Sequence, residues 1–196
     1  MKTFIKKGVS TLIIGTALLS LQGCLTTAVV TTAAVAGKVA TDPRSTGTQV
    51  DDEILEEKVA YNLNNDAQLK EEGRINVVAY NGRVLLIGQV PSSSAAESAR
   101  NIAAGVEGVK EVVNEIRTGD VINASQIAMD SWITTTVKSK LLLNDEVKTT
   151  EVKVITENGE VFILGKLSQT QADAAAEVAR NVRGVTKVIK VVNYTM

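Results

Sequence analysis

Apolar residues recur at helical spacing in two places along the chain. Leu55, Val59 and Leu63 stand four apart, and Ile133, Val137 and Leu141 repeat the spacing, so each set shares one helix face. After each stripe the period changes from four to two. Ile75, Val77 and Ala79 alternate with polar neighbours, Asn81-Gly82 follows, and Val84 to Ile87 is continuously apolar. The second copy reads Val152, Val154 and Thr156, then Asn158-Gly159, then Val161 to Leu164. Asn-Gly between two apolar runs predicts a hairpin, because both turn residues take positive φ. Gly88 and Gly165 are expected to close the second strands as bulges or turns.

A second helix is predicted after each hairpin. Ser94-x-x-Glu97 and Ser168-x-x-Gln171 have capping-box spacing. The stripes Ala99, Ile102, Ala103, Val106 and Ala175, Val178, Ala179, Val182 would lay alanine-rich faces close to a sheet. Third strands are expected over 109–116 and 185–194, each joined to its sheet by a right-handed crossover and therefore parallel to its neighbour. Asp51 and Asp52 suit a helix N-terminus in the first copy, and Asp130 takes the capping place in the second. The fold class is thus α+β: two tandem units, each α-β-β-α-β, with a three-stranded mixed sheet packed on two helices. The boundaries read 51–118 and 128–196 with a linker at 119–127, and a unit of this size is large enough to fold alone.

The region before the repeats has a different character. Lys2, Lys6 and Lys7 precede an uncharged apolar run over 9–21, the pattern of a signal peptide spanning 1–23. The run ends in Leu21-Gln22-Gly23-Cys24, which resembles the lipobox of bacterial lipoproteins; Gln22 departs from the small residue usual there. The resemblance implies that Cys24 becomes the first mature residue and carries diacylglycerol plus an amine-linked acyl chain. More than one buried chain makes such anchoring stable. The alternative is a stray cysteine behind an ordinary signal. Leu25, where aspartate would signal inner-membrane retention, implies sorting to the outer membrane. Residues 24–50 read as the lipidated cysteine and a flexible tether, rich in Thr and Ala and then in Pro, Gly and Ser.

Composition narrows the chemistry. The chain has no histidine and one cysteine, which removes the commonest general base and any cysteine metal cluster. No nucleophile and base stand at usable spacing, so an enzyme is not expected. No cofactor is expected either. With a formal charge of −1, there is no basic footprint for nucleic acid. Asn123-Ala124-Ser125 matches a glycosylation sequon, read as chance. Charge also separates the copies: residues 51–118 hold 12 acids and 7 bases, residues 128–196 hold 8 acids and 9 bases.

The order Asn-Gly-x-Val-x-Leu/Ile-x-Gly, then a helix, then Gly-Val-x-x-Val resembles the BON domain family of bacterial envelope proteins. Together with the lipobox and the Asp42-Pro43-Arg44-Ser45 tether, it resembles the outer-membrane lipoproteins that carry two such domains. The resemblance implies a periplasm-facing, lipid-anchored protein with no enzymatic site. It also implies phospholipid binding and a role in envelope integrity, including at the division site.

The residues favour the second copy as the membrane-binding one. An anionic bilayer repels the first copy and attracts or tolerates the second. Lys138, Lys140, Arg180, Arg183, Lys187 and Lys190 are candidate contacts or simply a solvated face. Trp132 is the only tryptophan, a residue type that favours membrane interfaces. It lies roughly 140° around the helix from the centre of the Ile133 stripe. Two readings are open: insertion among lipid headgroups, or local packing as a helix-end plug, with Ile54 in the matching place. The family resemblance, in which this helix contacts lipid, supports the first. The expected contact set is Trp132, Ser131, Thr135, Thr136, Ser139 and Lys140, and the expected partner is an anionic phospholipid membrane. The rival function is an adaptor whose acidic first copy or strand edges bind outer-membrane protein assembly machinery. Oligomeric state is not legible.

Overall fold

A computed structural model describes residues 46–149 and 152–195, within a compact unit Thr41–Met196. The signal peptide, Cys24 and most of the tether lie outside the described residues. Helices α1 (Thr46–Leu63) and α2 (Ala67–Glu72) lead into strands β1 (Arg74–Tyr80) and β2 (Arg83–Val90). Helix α3 (Ser93–Ala104) and strand β3 (Glu111–Thr118) complete domain one. Domain two runs α4 (Ala124–Leu142), β4 (Val152–Glu157), β5 (Glu160–Leu167), α5 (Gln169–Arg180) and β6 (Lys187–Tyr194). Each sheet has its second strand in the centre, antiparallel to the first and parallel to the third. The predicted topology is thus present twice.

Several local expectations are corrected. Helix α1 begins at Thr46, inside the expected tether, and α4 begins at Ala124, inside the expected linker. The cap of α4 is Asn123, whose side chain accepts the amide of Gln126 at 3.0 Å. Asp130 is therefore mid-helix. It is buried, and its carboxylate accepts the turn amides of Asn158 and Gly159 at 2.7 and 2.9 Å. Asp52 does the same for Asn81 and Gly82, at 2.7 and 2.9 Å. The hairpin turn has the predicted positive φ at all four residues, and each first helix clamps its turn through one carboxylate. Such charge-assisted bonds are stronger than neutral ones.

The cap of α3 is Ser92, two residues before the expected Ser94, whereas the Ser168–Gln171 capping box forms as read. The short helix α2 was not expected from the sequence. Gly88 is no bulge: it sits inside β2 at φ +134°, where a β-carbon would come within 1.9 Å of the Arg74 carbonyl oxygen. The role is close backbone approach. Gly165 likewise lies within β5, paired with Val152 and Val192.

Alternation along the central strands explains how the domains join. Val84, Leu86 and Val90 face α1 and α3, while Leu85 and Ile87 point the other way. In domain two Val161, Ile163 and Leu167 face α4 and α5, and Phe162 and Leu164 point away. The outward sets meet, joined by Val78, Tyr80 and Val191, so the two sheets pack face to face between outer helix layers. Strands buried on both faces read as continuous apolar runs. Polar groups rim this contact. Glu157, itself buried, accepts from Arg74, from Asn76 at 2.8 Å and from Gln89 at 2.8 Å. Arg117 reaches Glu160 at 2.6 Å, and Lys153 reaches Glu56 at 2.9 Å. The hydrogen bond to Glu160 is the main reason the Arg117 guanidinium is held above its ordinary pKa.

Candidate functional site

Helix α4 has two unlike sides. Ile133, Val137 and Leu141 are fully buried beneath it, which turns Trp132 outward. The residue is 48% exposed, and it lines a groove of about 490 Å³ with Ser125, Ala128, Met129, Arg183 and Gly184. Arg183 and Gly184 come from the turn after α5. Gly184 adopts φ +89°, and a β-carbon there would stand 3.2 Å from the Ile133 side chain, so the turn lies close against α4.

Alongside Trp132 three hydroxyls of the helix surface are satisfied within the helix. The Ser131 hydroxyl donates to the Ile127 carbonyl at 3.0 Å, Thr135 to Ser131 at 2.9 Å, and Ser139 to Thr135 at 2.9 Å. Back-bonding of this kind occupies these three hydroxyl protons within the helix, so burying them against headgroups leaves those donors matched.

The expected contact residues do not form a single pocket. Trp132 belongs to the first groove. Ser131 and Thr135 lie on its other flank and line a second hollow of about 460 Å³ with Arg74, Asn76, Thr134 and Lys138, among others. Thr136 is half-buried, while Ser139 and Lys140 are exposed farther along the helix. Together they make a ridge with a hollow on each side. Met129 and Leu142, absent from the expected contact set, are both exposed, and Leu143 is 83% exposed just past the helix end. Met129, one turn before Trp132, stands four residues before Ile133 and so continues the core-stripe spacing, which concealed its exposure.

The basic residues also sort themselves. Arg180 pairs with Glu177 at 3.1 Å and Lys190 with Asp173 at 2.6 Å. The hydrogen bond raises the Lys190 pKa and lowers that of Asp173. These two cations are neutralised locally. Among the described residues, Lys140, Arg183 and Lys187 enter no ion pair. The corresponding hollow in domain one, about 680 Å³, is lined by Asp51, Ile54, Lys58, Glu107, Gly108 and Lys110, among others.

The BON domain profile matches residues 51–120 and 129–196. The chain belongs to the BON family. It is 77% identical over 153 residues to the "21 kDa hemolysin" of Actinobacillus pleuropneumoniae, covering 78% of this chain and 79% of that one. It is 59% identical over 174 residues to the "Outer membrane lipoprotein DolP" of Haemophilus influenzae, covering 89% and 90%. To the "Osmotically-inducible protein Y" of Escherichia coli it is 35% identical over 154 residues, covering 77% and 76%. The expected localisation, lipid-anchored at the outer membrane and facing the periplasm, agrees with the second of these relatives. No described helix is long and apolar enough to cross a membrane.

Proposed function

We propose that this BON protein is a non-enzymatic periplasmic lipoprotein, anchored through Cys24, that binds anionic phospholipid at the outer membrane and supports membrane integrity, including at the division site. The observation that carries the reading is the outer face of α4: a half-exposed Trp132 beside Ser131, Thr135 and Ser139, whose hydroxyls are satisfied within the helix. Tryptophan at this depth gains from an apolar body and a polar edge. Exposed Met129 and Leu143 extend the apolar contact, and unpaired cations beside it are each worth about 1 kcal/mol near an anionic surface. The acyl anchor keeps the domain near the bilayer, so a weak face suffices.

The test is co-sedimentation of residues 41–196 with vesicles. The fragment should pellet with phosphatidylglycerol-containing vesicles, less with purely zwitterionic ones, and not when Trp132 is changed to Glu. Equal recovery of wild type and Trp132→Glu with either lipid would contradict the reading.

One observation favours a second role. Domain one exposes Ile54 and Tyr61 on an acidic helix, a surface suited to a protein partner such as outer-membrane assembly machinery. Cross-linking in cells separates the two: a stoichiometric partner retained by Trp132→Glu belongs to the adaptor role.

A further inference from the structure

Arg183 stands out among the cations of domain two. It is exposed, forms no ion pair among the described residues, and borders the same groove as Trp132 and Met129. Its position is fixed by the chain around it. Val182 before it is buried, the Val182 amide donates to Ala179 and the Val185 amide donates to Val182, and Gly184 presses against Ile133. The guanidinium therefore leaves a tight turn beside the tryptophan rather than a mobile loop.

We infer that Arg183 reads the phosphodiester of an anionic phospholipid, while Trp132 and Met129 lodge beside its glycerol and upper acyl chains. The inference rests on the proposed membrane face and assigns it a specific anion contact. A planar guanidinium offers paired donors to phosphate oxygens, which an ammonium cannot match. The rest of the groove, Ser125, Ala128, Met129, Trp132 and Gly184, carries no charge, so no carboxylate lining it competes for the guanidinium. Domain one supplies an internal contrast: Glu107 precedes Gly108 where Arg183 precedes Gly184, Asp51 stands where Met129 stands, and Lys58 and Lys110 line that hollow beside these acids. The same fold thus presents a version of the site with mixed charge and no arginine at this place.

The experiment measures partition of residues 41–196 onto phosphatidylcholine vesicles with and without phosphatidylglycerol, for wild type, Arg183→Glu, Arg183→Lys, Arg180→Glu and Trp132→Glu. Arg183→Glu should weaken partition onto phosphatidylglycerol vesicles roughly tenfold or more, and Arg183→Lys should lose part of it through the missing fork. Arg180→Glu, an equal change in net charge at an already paired position, should stay within about twofold. Unchanged melting temperatures would show that the exposed substitutions leave the fold intact. If Arg183→Glu falls no further than Arg180→Glu while Trp132→Glu abolishes binding, Arg183 is not the phosphate contact and the membrane face still stands. If the wild type ignores phosphatidylglycerol vesicles, the face and the phosphate contact both fail.

Discussion

Domain one and domain two use the same device to join helix to hairpin, yet their first helices face outward with opposite chemistry. Asp52 and Asp130 hold the two Asn-Gly turns through bonds of matching length. On the outer side of each helix, Glu53, Ile54 and Glu57 occupy in domain one the places of Ser131, Trp132 and Thr135. Across the groove Glu107 is replaced by Arg183. The buried side of each helix is constrained by packing and by the turn it clamps, whereas the outer side is free to diverge. The repeated residues build the scaffold, and the proposed interaction falls on the unrepeated ones.

The strongest test of the shared scaffold lies at the sheet-to-sheet contact. Phe162→Ala removes a large, fully buried side chain from between the sheets and should cost roughly 3–5 kcal/mol in denaturant unfolding. Retention of near wild-type stability would show that the domains do not depend on this contact. Next in size are the turn clamps. Asp52→Ala and Asp130→Ala each strand two amides, one of each pair in a buried contact, and should each cost roughly 2–4 kcal/mol. Similar losses would confirm that the clamps are equivalent; a loss in only one would make the repeat superficial.

The functional difference should be transferable. Grafting Glu53→Ser, Ile54→Trp and Glu57→Thr onto the Trp132→Glu background should restore partition onto phosphatidylglycerol vesicles by roughly fivefold, the order expected from removing repulsion at the surface. No recovery would mean that the face alone does not determine the interaction. The smallest expected effect concerns Asp173. Its carboxyl is held below its ordinary pKa, chiefly by the hydrogen bond from Lys190. The pair's contribution to stability is complete above that ordinary value and fades only as pH falls through the lower folded value. At neutral pH Asp173→Asn should leave stability nearly unchanged, free the Lys190 charge and raise vesicle partition by less than about twofold.

Much of this architecture was legible in the sequence, because the Asn-Gly turns and the stripes of Leu55 and Ile133 are local signals repeated twice. Asp52 and Asp130 misled for a physical reason: an acid near a helix start resembles a cap, and only the tertiary approach of a hairpin reveals the buried carboxylate. The sheet-to-sheet contact was written in Val84–Ile87 and Val161–Leu164, whose unbroken apolar runs leave no polar side for solvent. Trp132 was correctly placed off the core stripe, but its groove was not foreseeable, since Arg183 lies far away in sequence. Net charge likewise overstated the basic surface, because pairing withdraws Arg180 and Lys190.

The most direct test of the account uses Trp132 as its own reporter, since no other tryptophan contributes. Residues 41–196 are mixed with vesicles containing phosphatidylglycerol brominated in the upper acyl chain, and tryptophan emission is recorded. Insertion of the α4 face predicts a blue shift and strong quenching with phosphatidylglycerol, with little change for brominated phosphatidylcholine alone. An emission maximum and intensity indifferent to both lipids, from a fragment shown to be folded, would contradict the central claim.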